Sequence, residues 1–133
     1  MGEPTMANKF HNPSNVALAG KYSLGGEVPA GSRVLYVSGQ VGLDSKGKLG
    51  ATIEKQCELA WKNIGQVLKA GGMTYRDIVK INAYITDPRY MPAYREARAR
   101  CLPDAPFPAS TLVIVSGLAE PDMKVEVEVV AAK

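Results

Sequence analysis

The chain has 133 residues, 46% of them hydrophobic and 22% charged, with a formal net charge of +3. That length makes one domain able to bury a core without covalent staples. The composition excludes a disordered chain, the scattered basic residues exclude a dense nucleic-acid surface, and no run approaches the roughly 20 apolar residues of a membrane-spanning helix.

In chain order, residues 1–15 read as an irregular arm and 16–133 as a single domain. The arm is polar and lacks the apolar stretch of a secretory leader, so a cytoplasmic protein is expected. Met1-Gly2 is no myristoylation signal, because position 6 is Met rather than Ser or Thr. Residues 22–24 read as a short first strand ended by Gly25-Gly26. Val34-Leu35-Tyr36-Val37-Ser38 is rich in branched and aromatic residues and predicts a strand that stops at Gly39-Gln40-Val41-Gly42. Those glycines form neither a P-loop nor a dinucleotide fingerprint. Asp44-Ser45-Lys46-Gly47 is turn chemistry without the ligand series of a calcium loop.

The spacing predicts a helix over 52–70. Ile53, Cys57, Ala60, Trp61, Ile64, Val67 and Leu68 recur every three or four residues and make one apolar face. Thr52 caps its start by accepting a backbone N–H bond, and Gly71-Gly72 ends it. Cys57 and Cys101 are too few for a disulfide framework and have no metal-ligand spacing, so each reads as a small buried hydrophobe. Residues 78–86 alternate as a strand, with Val79, Ile81, Ala83 and Ile85 on one face and Lys80, Asn82, Tyr84 and Thr86 on the other. Asp87-Pro88 supplies a capping side chain and an initial proline for a second helix over 90–102. A proline-rich loop over 103–108 then leads to two last strands.

The predicted order is β-β-α-β-α-β-β, an α/β (α+β) subunit. Right-handed crossovers place both helices on one face of a mixed sheet. The other face is left bare, carrying Tyr36, Ile114 or Leu112, Tyr84 and Val130 among polar groups. Such a face is expected to be buried between subunits.

The C-terminal run Pro106-Phe107-Pro108-Ala109-Ser110-Thr111-Leu112-Val113, then Gly117-Leu118, then Lys124-Val125-Glu126-Val127-Glu128-Val129, resembles the end of the Rid proteins. These reactive intermediate deaminases are also called YjgF-like or L-PSP endoribonuclease-like. Other pieces occur in the family's order: Gly20-Lys21-Tyr22, with Lys21 replacing proline; Val37-Ser38-Gly39-Gln40; Gln56, Asn63-Ile64 and Leu68; Ala70-Gly71-Gly72; Asp77-Ile78-Val79-Lys80; Thr86-Asp87 and Tyr94. The match runs from about Asn12 to the end.

The resemblance implies a chorismate-mutase-like fold, a homotrimer built around a barrel of three sheets, and small-molecule clefts between subunits. It implies hydrolysis of enamines and imines such as 2-aminoacrylate, with no metal and no organic cofactor. In deaminating members an arginine after Pro-Ala pairs with the substrate carboxylate, and a glutamate of the last strand positions water. Backbone groups near Gly39 and the loop before Ala109 complete the cleft. Carried onto this chain, the resemblance makes Glu126 the catalytic carboxylate and Tyr22, Gly39 and Ser110 substrate-binding positions. Ser110 stands where the arginine is expected, and Arg95 stands where deaminases often carry asparagine.

That departure has a physical consequence. A guanidinium offers a carboxylate two charge-assisted hydrogen bonds, whereas serine offers one neutral hydroxyl. At about 1.5–3 kcal/mol per bond to a charged group, the loss reaches roughly two to four decades in affinity. Two readings stand. One is an imine hydrolase with an altered anchor, Arg95 acting as replacement cation or as a solvated helix residue, and with poor activity on 2-aminoacrylate. The other is a non-catalytic trimer that binds a metabolite or a protein partner. Glu126 is correspondingly either the water-handling group or a surface carboxylate. Ribonuclease action lacks equipment: one histidine, His11, makes no two-histidine site, and no basic aromatic platform is present.

Overall fold

A computed structural model describes residues 7–133; the first six residues of the expected arm, Met1-Gly2 among them, lie outside the described residues. The elements are β1 (Lys9–His11), β2 (Gly25–Glu27), β3 (Val34–Val41), α1 (Ile53–Ala70), β4 (Ile78–Ile85), α2 (Met91–Cys101), β5 (Ala109–Ile114) and β6 (Val125–Ala132). Short 3₁₀ turns, Tyr75–Asp77 and Pro88–Tyr90, precede β4 and α2.

Four strands form one sheet in the order β3-β6-β4-β5. The connection through α2 leaves β4 and β5 parallel. The last strand enters antiparallel to both β3 and β4. These two therefore run the same way, with α1 as the crossover above β6. The result is the expected mixed sheet with both helices on one face.

Its first strands differ from expectation. Residues 22–24 are not a ladder strand; Ser23 makes a single bridge to Ala109. The early pairing is instead a separate two-stranded ribbon of β1 and β2. β1 lies in the stretch expected to be irregular. Period-2 patterning cannot register a three-residue strand, and β2 is Gly-Gly-Glu.

The helices form for the predicted reasons. Thr52 Oγ1 accepts from the Lys55 N–H at 3.1 Å. At the other end Gly72 takes φ +73°, a left-handed conformation that strains any side chain. Asp87 Oδ1 accepts from the Arg89 N–H at 2.9 Å and turns the chain into α2. Between helices and sheet, Trp61 is 1% exposed and lies edge-on to Tyr75 at 6.2 Å. It packs among Ile64, Leu68, Ile81, Ile85, Val127 and Val129.

Residue parity decides the bare face. Lys80, Asn82 and Tyr84 lie across from Ala109, Thr111 and Val113, so these point away from the helices. Leu112 lies across from the buried Ala83, and Ile114 across from the buried Ile85. Leu112 and Ile114 therefore belong to the helix side, and Val113 takes the place expected for one of them. Tyr36 joins the bare face, 76% exposed, with Val130 opposite it.

One buried polar side chain ties the helix layer to the start of β6. Gln56 Nε2 donates to the carbonyls of Gly50 and Asp122, both at 3.0 Å, and its Oε1 accepts from the Lys124 N–H at 2.8 Å. Gln56→Leu keeps the volume and orphans three backbone groups. It is expected to cost about 3 kcal/mol, read as a lowered urea midpoint at unchanged slope.

Candidate functional site

Tyr22 reaches the site through its neighbour. The Ser23 N–H donates to the Pro108 carbonyl at 3.0 Å, and its hydroxyl donates to the Phe107 carbonyl at 2.5 Å. Asn12 Oδ1 accepts from the Leu24 N–H at 2.8 Å and holds the other side of the same loop. The 19–24 segment is thereby laid along the entry to β5, where Ser110 follows Ala109.

Ser110 lies across from the buried Ile81 and so faces the helix side. There it lines a cavity of about 690 Å³ shared by Lys21, Tyr22, Arg95, Arg98, Phe107 and Leu112, among others. Three of the expected residues, Tyr22, Ser110 and Arg95, thus meet in one cavity. Arg98 was not anticipated, although its spacing of three from Arg95 places it on the same helix face.

Gly39 and Glu126 meet elsewhere. Glu126 lies across from Val41 and Tyr84, on the bare face. The register between β3 and β6 shifts between Val37 and Gln40, and Gly39 sits in that irregularity. A Cβ on Gly39 would fall 2.7 Å from Glu126 Oε2, so the missing side chain leaves room for the carboxylate. Within one chain this pair and the Ser110 cavity lie on opposite faces, and β4 separates β5 from β6.

The two glutamates of β6 share a face but not a situation. Glu128 accepts from the Tyr84 hydroxyl at 2.7 Å. This hydrogen bond holds the proton on the phenol and raises its pKa, with desolvation adding to the effect. Glu126 has no side-chain hydrogen bond or ion pair among the described residues. Alternation alone could not tell the two apart; the reach of Tyr84 does. Nearby, Lys80 Nζ donates to Thr111 Oγ1 at 2.7 Å.

The cysteines add no reactive group. Burial pushes the Cys57 thiol up to about 12 and raises that of Cys101 too. Among the described residues no cluster of His, Cys, Asp or Glu could hold a metal ion, and no helix is long and apolar enough to cross a membrane.

Residues 14–133 match the Endoribonuclease L-PSP family. The chain belongs to this family. Among its relatives, the mitochondrial protein mmf2 of Schizosaccharomyces pombe is 31% identical over 92% of this chain and 95% of its own. The human 2-iminobutanoate/2-iminopropanoate deaminase is 31% identical over 74% of this chain and 72% of its own. A solved Rid-family protein of unknown function from Yersinia pestis is 25% identical, with a TM-score of 0.87 over 96% of this chain and all of that one. The family's fold is thus shared from the 19–24 segment to the end of β6.

Gly39→Ala tests the carboxylate's place. The atoms nearest the added methyl are Oε2, Cδ and Cγ of the flexible Glu126 side chain, so stability should hold, while the carboxylate is displaced. Any turnover should fall on the order of 100-fold, measured as kcat/KM beside an unchanged thermal midpoint.

Proposed function

We propose that the chain is a hydrolytic deaminase of imines and enamines, with its sites completed between the copies of a homotrimer. The observation that carries this reading is Glu126: a strand carboxylate without a side-chain partner among the described residues, set against Gly39, where a Cβ would fall 2.7 Å from its Oε2. The relatives named as deaminases of 2-imino acids support the reaction type.

The chemistry asked of the site is modest. As a water oxygen bonds to the imine carbon, Glu126 accepts a water proton and then delivers it to the nitrogen. In the resulting carbinolamine the hydroxyl proton passes to the nitrogen, again by way of Glu126, as the C–N bond breaks; ammonia leaves and a carbonyl remains, so imine plus water becomes ketone plus ammonia. An enamine enters as its imine tautomer.

Completion between copies answers the separation of the two residue groups. β3 and β5 are the opposite edges of the sheet. The proposed site requires a closed ring that laps the bare face of one copy, with Gly39 and Glu126, over the β5 edge of the next, with Tyr22 and Ser110, because continuing the sheet edge to edge would keep the two groups on opposite faces. The same ring covers Tyr36, Val34 and Val113, which the single chain exposes. Burying each is worth about 1.5–3 kcal/mol. Light scattering at micromolar concentration is expected to give three times the chain mass; a stable monomer overturns the composite site.

Ser110 sets the preference. It gives a substrate carboxylate one neutral hydroxyl, so 2-aminoacrylate generated in situ should be converted to pyruvate slowly. Ser110→Arg is expected to raise kcat/KM about tenfold or more, and Glu126→Gln to remove turnover while the oligomer persists. Wild-type turnover equal to that of an arginine-bearing relative would dismiss Ser110 as the deciding change. A trimeric Ser110→Arg protein without turnover would favour a binding protein over an enzyme.

A further inference from the structure

We infer that Arg95 and Arg98 of α2 form the acid-binding end of the Ser110 cavity, and that this cavity takes imines of dicarboxylic amino acids in preference to the three-carbon imine. The inference rests on the deaminase reading above and names the substrate class of that site.

Charge is the first ground. The cavity's walls carry three cations, Lys21, Arg95 and Arg98, and one anion, Glu96. Glu96 is already engaged, its Oε1 accepting from Arg100 Nη2 at 2.6 Å. None of the three cations has a carboxylate partner among the described residues. Unpaired cations around a concave space raise the local concentration of anions.

Geometry is the second. Arg95 and Arg98 are three residues apart and so project from one face of α2. The Arg98 guanidinium lies over the Tyr94 ring, 5.8 Å from its centroid, and Tyr94 is 1% exposed in the core. That stacking steers one guanidinium over a fixed support. Planar guanidinium forks suit bidentate recognition of carboxylates, which a lysine does not reproduce.

Position is the third, and it selects the ligand. Both guanidiniums stand on the helix wall, Lys21 stands in the 19–24 segment beside the entry to β5, and the strand itself offers the neutral Ser110. A carboxylate beside the imine carbon therefore has no guanidinium fork on the β5 side. An acid gripped by α2 belongs to the far end of a longer molecule. The wall between is apolar, formed by Met91, Leu102, Phe107 and Leu112, and suits a methylene stem. A volume of about 690 Å³ leaves room for it.

The test compares 2-iminoglutarate with 2-iminopropanoate, each made in situ by an amino-acid oxidase, using the full chain. 2-Iminoglutarate should show a kcat/KM about tenfold or more above that of 2-iminopropanoate. Arg95→Gln and Arg98→Gln should each erase most of that advantage, read as the ratio of the two kcat/KM values and chiefly through KM for 2-iminoglutarate. Turnover of both imines that ignores the two arginines overturns the anchor and leaves the deaminase reading intact. Calorimetric titration with 2-oxoglutarate and pyruvate separates the remaining cases. Arginine-dependent 2-oxoglutarate binding without turnover of either imine keeps the anchor and removes the deaminase. No binding of 2-oxoglutarate removes the anchor.

Discussion

The placement of the last strand between β3 and β4 is the constraint on which the molecule depends. The chain must run its whole length before β6 can pair on both sides, so the centre of the sheet closes last in sequence and joins the longest-range contacts. That pairing seats Val125, Val127, Val129 and Ala131 under α1 and turns Glu126 and Glu128 to the opposite face. Core and candidate catalytic carboxylate are thus two faces of one alternating strand. Gln56 secures the arrangement from the helix side by satisfying the backbone where β6 begins.

The same strand order divides the chemistry. The carboxylate proposed to handle water lies on the bare face, beside Gly39 of β3, and the cations proposed to bind an acid line the helix-face cavity beside β5. Neither group is a complete site in one chain, and each lies close to an edge whose backbone groups are unpaired. An exposed strand edge invites another strand, which is one ground for the proposed assembly of copies. An assembly of this kind makes the site sensitive to the interface as well as to its own residues.

Charge in the cavity of Ser110 comes from outside the strand: β5 contributes the neutral Ser110, while Arg95 and Arg98 line the cavity from α2. A guanidinium on a helix wall meets a ligand from a different direction than one on a strand. The proposed substrate preference rests on that difference in direction, and the proposed role of Glu126 on the place that β6 gives it.

Much of this was legible in the residues themselves. The apolar face of α1, its Thr52 cap, the alternation in β4 and β6 and the one-sided helix cover all follow from local periodicity and capping chemistry, which act within a few residues. So did the identity of Tyr22, Gly39, Ser110 and Glu126 as positions of interest, through the resemblance of Gly20-Lys21-Tyr22, of Val37-Ser38-Gly39-Gln40 and of the C-terminal run. What only the tertiary structure decided were matters of register and of groups far apart in sequence. It made a strand of Lys9–His11, put Val113 rather than Leu112 or Ile114 on the bare face, and occupied Glu128 with Tyr84 while Glu126 has no side-chain partner among the described residues. It also brought Arg95 and Arg98 to the cavity of Ser110. These depend on which strand lies beside which and at what offset, and a one-residue offset reverses every side chain.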